Sequence, residues 1–407
     1  MKVRNISLQE QKHGYDFSLL FVTVFLCVFG LIMVYSASYY TAEIKHLGAS
    51  YYFGRQLRAD LLGLLFMILI SFVPYRLYKI GIIPLYVAAL GLMLLTNYTS
   101  MGLNVNGRTR WIEITKGFSF QTAEVVKIAV ILFSAYLVMR FARKYRGWRL
   151  WLAMIVFALI PTALVFSNDL SSAVIIMAIP LVYIILLNRN RKLGTVLAIL
   201  VTLAAVGILL LKFMDLDRLM KIGEWIEEHT PLHEYQLRRI YVWNDPAYDA
   251  QGDGYQVLQG LYAIGSGGLF GKGLGASEQK LGFVPEASND MIFTIVCEEL
   301  GFFGAIALIL LYVFLLYRML LIAAKADDVF GSLITVGVMT QIALQVILHI
   351  GVVTNIFPNT GISLPFISYG GTSSMFLMME VGMVLNVGRG DVILRRKKRL
   401  ELEQEAT

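Results

Sequence analysis

Apolar residues run in long, unalternating blocks along this chain, broken by short charged segments. With the charges as stops, the pattern predicts ten spans near 17–38, 57–73, 79–96, 121–139, 150–166, 171–187, 193–213, 291–317, 331–355 and 372–388. A membrane-crossing helix needs about 20 mostly apolar residues, and most of these blocks reach that length. Without water in the hydrocarbon core every backbone group must be paired internally, so unbroken apolar runs suit helices, whereas a barrel would show period-two alternation. The predicted fold is an all-α polytopic membrane protein forming one integral domain over 1–407, with a large extracellular loop at 215–290 between the seventh and eighth helices.

Charge sets the orientation. Arg76 and Lys79, then Arg143, Lys144, Arg146 and Arg149, then Arg189, Arg191 and Lys192, then Arg318 and Lys325, and finally Arg395 to Arg399 fall between alternate pairs of spans. Cytoplasmic loops carry such an excess. The 1–16 segment and the 389–407 tail are therefore placed in the cytoplasm, which an even number of spans requires. Met1 to His13 is polar and the first apolar run is long enough to stay as a span, so no cleavable signal is expected.

Composition agrees: of 407 residues 57% are hydrophobic and 15% charged, against about 25% charged in soluble domains. The net charge of +7 resides largely in short loops and the tail, which argues against a nucleic-acid partner. Cys27 and Cys297 both lie in apolar runs, so a disulfide framework or thiolate metal site is not expected. The long loop holds Trp225, Tyr235, Tyr241, Trp243, Tyr248, Tyr255 and Tyr262, too aromatic for disorder. Its GSGGLFGKGLG stretch suits a sharply turning backbone able to let the loop close over a site.

Ionisable groups inside spans are costly and mark candidate function. Glu124 and Lys127 share one helix face and can pair with each other. Glu298, Glu299, Gln345 and His349 fall in the outer half, Asp169 and Asp290 at outer mouths, and Arg108, Arg110 and Lys116 in the third inter-span segment. The economical reading is a pocket reached from outside, with cations for an anionic head group such as a diphosphate and a carboxylate to take a proton from a hydroxyl. An acidic residue just before a span also serves as a solvated helix cap, the alternative for Asp290. His229 and His233 have metal-compatible spacing but no HExxH, and the glycine-rich stretch lacks the context of a phosphate-binding loop. Glu380 faces either an inner cavity or a neighbouring side chain.

GLIMVYSAS at 30–38, NGRTRWI at 106–112, GYQVLQGLYAIGSGGLFGKGLGASEQKLGFVPEASNDMIF at 254–293, EELGFFGA at 298–305 and PNTGISLPFISYGGTSSM at 358–375 together resemble the SEDS family of FtsW, RodA and SpoVE. The resemblance runs nearly the whole chain in matching order. It implies ten membrane helices and a peptidoglycan glycosyltransferase that polymerises lipid II onto a growing undecaprenyl-diphosphate-linked glycan strand at the outer face of the bacterial cytoplasmic membrane. It further implies a class B penicillin-binding protein as partner, with other membrane proteins of the division machinery at the septum. The match places the family's essential aspartate on Asp290, its acid and base of the fourth span on Glu124 and Lys127, and its QPDLGT-like aspartate on Asp169. Arg110, Gln256, Lys280, Glu286 and Ser368, Tyr369, Gly370 and Gly371 also match and are expected to bind substrate. Ser288 and Asn289 stand where His and Thr are usual, Thr122 and Ala123 where Pro and Ser are, and Ser167 and Asn168 where Gln and Pro are. A divalent cation, Mg or Mn, is compatible with diphosphate departure, and no metal ligands are assigned. The division and sporulation branch matches better than the elongation branch. A lipid II flippase, which also needs polar groups in a helical bundle, and a scaffold without chemistry are the alternatives.

Overall fold

The computed structural model describes residues 15–105, 108–115, 118–141, 148–187, 195, 202–203, 206–229, 234–252 and 254–390. Nine of the predicted spans are helices: α1 (Phe17–Ile44), α2 (Tyr51–Phe72), α3 (Tyr78–Tyr98), α4 (Thr122–Phe141), α5 (Trp148–Phe166), α6 (Leu170–Leu187), and, beyond the long loop, three more. The seventh span, the cations at 143–146 and 189–192, Lys116, His233, the first 14 residues and the tail beyond 390 lie mostly or wholly outside the described residues. Seven helical segments among the described residues are long and apolar enough to cross a membrane.

Within the predicted 215–290 loop stand α7 (Leu216–His229), α8 (Glu234–Asn244), a short 3-10 turn (Pro246–Asp249) and α9 (Tyr255–Ser266). The bundle then resumes with α10 (Ile292–Lys325), α11 (Val329–Val353) and α12 (Gly371–Arg389). Asp16 caps α1 by accepting the Leu19 amide at 2.9 Å, and the Arg318 guanidinium reaches the same carboxylate at 2.7 Å. Asp328, which caps α11, lies 3.5 Å from Arg76 and 4.0 Å from Lys79. These cations, assigned from charge to a single side, thus meet their counterions where α1, α3 and α11 begin and α10 ends.

The 97–120 segment, expected only as an inter-span loop, departs from an all-helical chain. It forms a three-stranded antiparallel sheet of β1 (Gly102–Val105), β2 (Arg108–Thr115) and β3 (Phe118–Gln121). The run RTRWIEIT is rich in the β-branched and aromatic residues that fit a pleated surface. Its register sets Trp111 opposite Gln121.

The glycine-rich stretch, expected to let the long loop close, is docked against a break in a bundle helix. Helix α10 breaks at Gly301, whose φ of 68° is left-handed, and the 267–273 segment inserts into the break. The Glu298 and Glu299 carbonyls accept from Lys272 and Gly273 N–H, each at 2.9 Å, while Phe302 and Phe303 N–H donate to Gly268 and Leu269. Backbone freed at the kink is therefore re-satisfied, as membrane burial demands. The fully buried Glu298 carboxylate binds Lys272 at 2.9 Å and also accepts from Ser266, Ser277 and the Glu278 amide. Removing the carboxylate strands the donors packed around it, at about 1–3 kcal/mol for a buried one. Glu298→Ala is accordingly expected to lower the melting temperature in detergent sharply and to speed amide exchange across 267–281, with Glu298→Gln milder.

Candidate active site

Several segments converge at the end of the bundle opposite those ion pairs. Strand β2 brings Arg110 and Trp111, β3 brings Gln121, the turn before α10 brings Glu286, Asn289 and Asp290, and the 356–371 connection brings Asn359, Gly361, Ser363, Tyr369 and Gly370. Together with Gln256 from α9 and Arg239 from α8 they line a cavity of about 450 Å³, well within the size of small-molecule sites. A smaller cavity of about 220 Å³ adjoins it, sharing Arg239, Gln256 and Asn359.

Asp290 is not a helix cap: the N-cap of α10 is Met291, which makes no side-chain capping bond. Its carboxylate lies in the cavity wall, and its pKa is raised to about 6. Burial is the largest cause and Glu286 adds repulsion, while Arg110 opposes both. The carrying turn is compact: Asn289 and Met291 N–H donate to the Glu286 carbonyl, and the Asn289 side chain donates to the Glu286 carboxylate. Glu286 itself has a φ of 52°, a sparsely populated conformation for a non-glycine residue and one that collects at functional sites.

Arg110 is aimed by Asn168, whose carbonyl accepts from its Nε at 2.8 Å. The buried Nη2 has no hydrogen-bond partner among the described residues. Arg239 donates to the Asn359 carbonyl at 2.7 Å, and Asn359 donates to Gln256 at 3.1 Å, which fixes the long loop to the 356–371 connection. Gly361 has a φ of 68°, and a Cβ there would stand 2.8 Å from Asp290 Oδ2. Gly361→Ala is expected to cut turnover at least tenfold, because the left-handed backbone alone costs about 1–2 kcal/mol; a Gly361→Ala enzyme with normal turnover in a strand-synthesis assay would contradict this.

Of the residues expected to act, Asp290, Arg110, Gln256, Glu286, Tyr369 and Gly370 line the cavity. The others stand behind it. Glu124 and Lys127 form the expected pair at 2.8 Å, both almost fully buried. Glu124 reaches the cavity only through Ser373, whose hydroxyl donates to it at 3.0 Å. Asp169 caps α6 through the Ser172 amide and accepts from Gln121 at 2.9 Å, so it orients a cavity residue. Ser368 donates to the Asn289 carbonyl at 2.8 Å, and Gly371 begins α12. Lys280, expected to reach the diphosphate, is buried elsewhere, held by Glu299 at 2.7 Å, Ser36 at 2.8 Å and the Gly275 carbonyl. Glu298 and Glu299 serve that region too, and His349 is tied to the Ile362 carbonyl at 2.7 Å, so the outer-half polar groups split into separate clusters. Glu380 accepts from Gln341 inside the bundle. His229 lies against the Trp225 carbonyl at 2.8 Å.

Arg239, Asn359 and Ser363 were not among the expected site residues. The adjacent basic pair Arg238–Arg239 in the long loop was the available signal for one of them. Asn106-Gly107 and Lys116-Gly117, flanking a β-branched run, were the signal for the sheet.

The donor set does not fit a resident divalent cation. Among the described residues no three His, Cys, Asp or Glu side chains converge, and the cavity's two carboxylates share it with Arg110 and Arg239.

The fold and site define a multi-pass helical membrane protein with an acid–base cavity at one end of its bundle. The family model described as cell cycle protein, for FtsW, RodA and SpoVE, matches residues 17–391, and the chain belongs to that family. It is 33% identical to a probable peptidoglycan glycosyltransferase FtsW of Trichlorobacter lovleyi, over 92% of this chain and 93% of the relative. It is 35% identical to stage V sporulation protein E of Bacillus subtilis, over 94% and 99%. Among solved structures a chain of a peptidoglycan synthase complex superposes with TM-score 0.71 at 26% identity, covering 92% of this chain and 98% of that one. The rod shape determining protein RodA of Thermus thermophilus does so with TM-score 0.60 at 23% identity, covering 92% and 97%, a likeness of fold.

Proposed function

We propose that this chain is a peptidoglycan glycosyltransferase of the bacterial cytoplasmic membrane that polymerises lipid II at the outer face, with Asp290 as general base. The observation that carries the reading is a partly desolvated carboxylate in a cavity lined also by two guanidinium groups, Arg110 and Arg239. An aspartate titrating near 6 is a better base than an ordinary one and still ionised at neutral pH.

In the reaction a sugar hydroxyl of the incoming lipid-linked disaccharide attacks the anomeric carbon of the growing strand. The new C–O bond forms as the anomeric C–O bond to the polyprenyl diphosphate breaks, with inversion. Asp290 takes the hydroxyl proton, and the diphosphate leaves with the electron pair. Arg110 and Arg239 supply positive charge where the leaving group becomes more negative. The adjoining cavities, joined at Arg239, Gln256 and Asn359, offer room for two saccharides.

An outer-face cavity is supported by Arg76, Lys79 and Arg318 lying at the opposite end of the bundle, the end that the positive-inside rule assigns to the cytoplasm. The partner is a class B penicillin-binding protein, and the septum is the site of action, in keeping with relatives named FtsW and stage V sporulation protein E. The test is strand synthesis from purified lipid II in liposomes, with and without such a partner. Polymer is expected with the partner present. If no condition gives polymer while labelled lipid crosses the bilayer, the flippase reading replaces this one.

A further inference from the structure

We propose that Gln56 and Asp60 on α2 are positioning residues for this site, holding the start of α12 and, through it, the turn that carries Asp290. This inference rests on the reading of Asp290 as the base.

Asp60 is an ionisable residue in the interior of a predicted span, an expensive placement that asks for a partner and a purpose. It is 6% exposed and Gln56 1%. Asp60 Oδ1 accepts from the Ser374 hydroxyl at 2.8 Å and from Gln56 Nε2 at 3.0 Å. Gln56 Oε1 in turn accepts the Gly370 N–H at 3.1 Å. Two residues one turn apart on α2 thus grip the first turn of α12 at two points.

From there hydrogen bonds run to the base. Tyr369 N–H donates to the Ser288 carbonyl at 2.8 Å, and the Ser368 hydroxyl donates to the Asn289 carbonyl at 2.8 Å. Ser288 and Asn289 immediately precede Asp290. The other side of the same helical turn is held from α4, where Ser373 donates to Glu124. Adjacent serines are therefore drawn toward carboxylates on two different helices, and Gly370 and Ser373, both lining the cavity, are fixed between them. Loss of the α2 grip leaves the half-buried Gly370 amide and the buried Ser374 hydroxyl unpaired, an outcome that favours displacement of the turn. Misplacement of a reacting group by about 1 Å costs up to 10²-fold in rate.

The experiment compares Asp60→Leu, Asp60→Asn and Gln56→Leu in the lipid II polymerisation assay with the partner protein present. Asp60→Leu is expected to lower kcat about tenfold or more with KM within twofold. Asp60→Asn, which keeps an acceptor oxygen, is expected to stay within about threefold of wild type. Wild-type turnover in Asp60→Leu, an equal loss in Asp60→Asn, or a loss confined to KM overturns the proposal. Should Asp60→Leu fail to fold, Gln56→Leu decides by the same criteria. Amide exchange of the 368–374 segment separates this inference from the functional reading: faster exchange in Asp60→Leu is expected even if wild type makes no polymer, and unchanged exchange overturns the clamp.

Discussion

Asp290→Asn is expected to abolish strand synthesis, with turnover about 10³-fold or more below wild type, while its melting temperature and partner binding stay at wild-type values. The amide is nearly isosteric but cannot take a proton, and general bases contribute about 10²–10⁴-fold. Because the carboxylate takes no hydrogen bond from the described residues, its replacement removes chemistry without stranding a neighbour. The pH–rate profile of the wild type carries the complementary signature. Asp290 must be ionised to act, and its pKa is raised to about 6 by burial first and Glu286 second. Rate therefore falls as pH drops through about 6 and is flat above it, where an ordinary aspartate near 3.9 would leave the rate level down to pH 5. A limb at 4 in the profile, or an active Asp290→Asn, would sink the assignment.

Arg110→Ala is the second large effect, a loss of about 10²-fold in kcat/KM, the scale for removing one preorganised donor from a developing anion. Its Nε is committed to the Asn168 carbonyl, and its guanidinium lines the cavity beside Asp290, where it can meet a phosphate oxygen. The same variant tests the electrostatics. The Arg110 cation lowers the Asp290 pKa, so its removal moves the acidic limb above 6, whereas Glu286→Gln, which removes a repelling charge, moves it below. Residual-rate profiles of the two variants, measured at saturating lipid II, should shift in opposite directions; a shift of the same sign in both would refute the arrangement.

Much of the bundle was legible because its cause is local. Nine helices stand at predicted spans, since a run of apolar residues in hydrocarbon has one way to satisfy its backbone. α10 shows the limit: its composition reads as one long span, and only the insertion of 267–273 at Gly301 explains why Glu298 and Glu299 are tolerated inside it. The sheet was missed because hydropathy is silent about a short polar hairpin between helices, although its turn dipeptides were visible. Asp60 escaped attention for the opposite reason, a single carboxylate hidden by the apolar average of its span.

The motifs themselves marked Asp290, Arg110, Glu286 and Gln256, and the cavity gathers all four. Lys280 sits in an equally recognisable motif yet pairs with Glu299, and Glu124, Lys127 and Asp169 act from behind Ser373 and Gln121. Sequence by itself determined the membrane class, the helices, the charged ends and the identity of the acid at the site, because hydropathy, charge and motif are properties of neighbours in the chain. Only the tertiary structure decided which of a dozen polar residues share one cavity. That depends on partners far apart in the chain, such as Gln121 and Asp169 at 48 positions and Glu124 and Ser373 at 249, and whether a buried cation is available or already neutralised is settled by packing between helices, which no local pattern encodes.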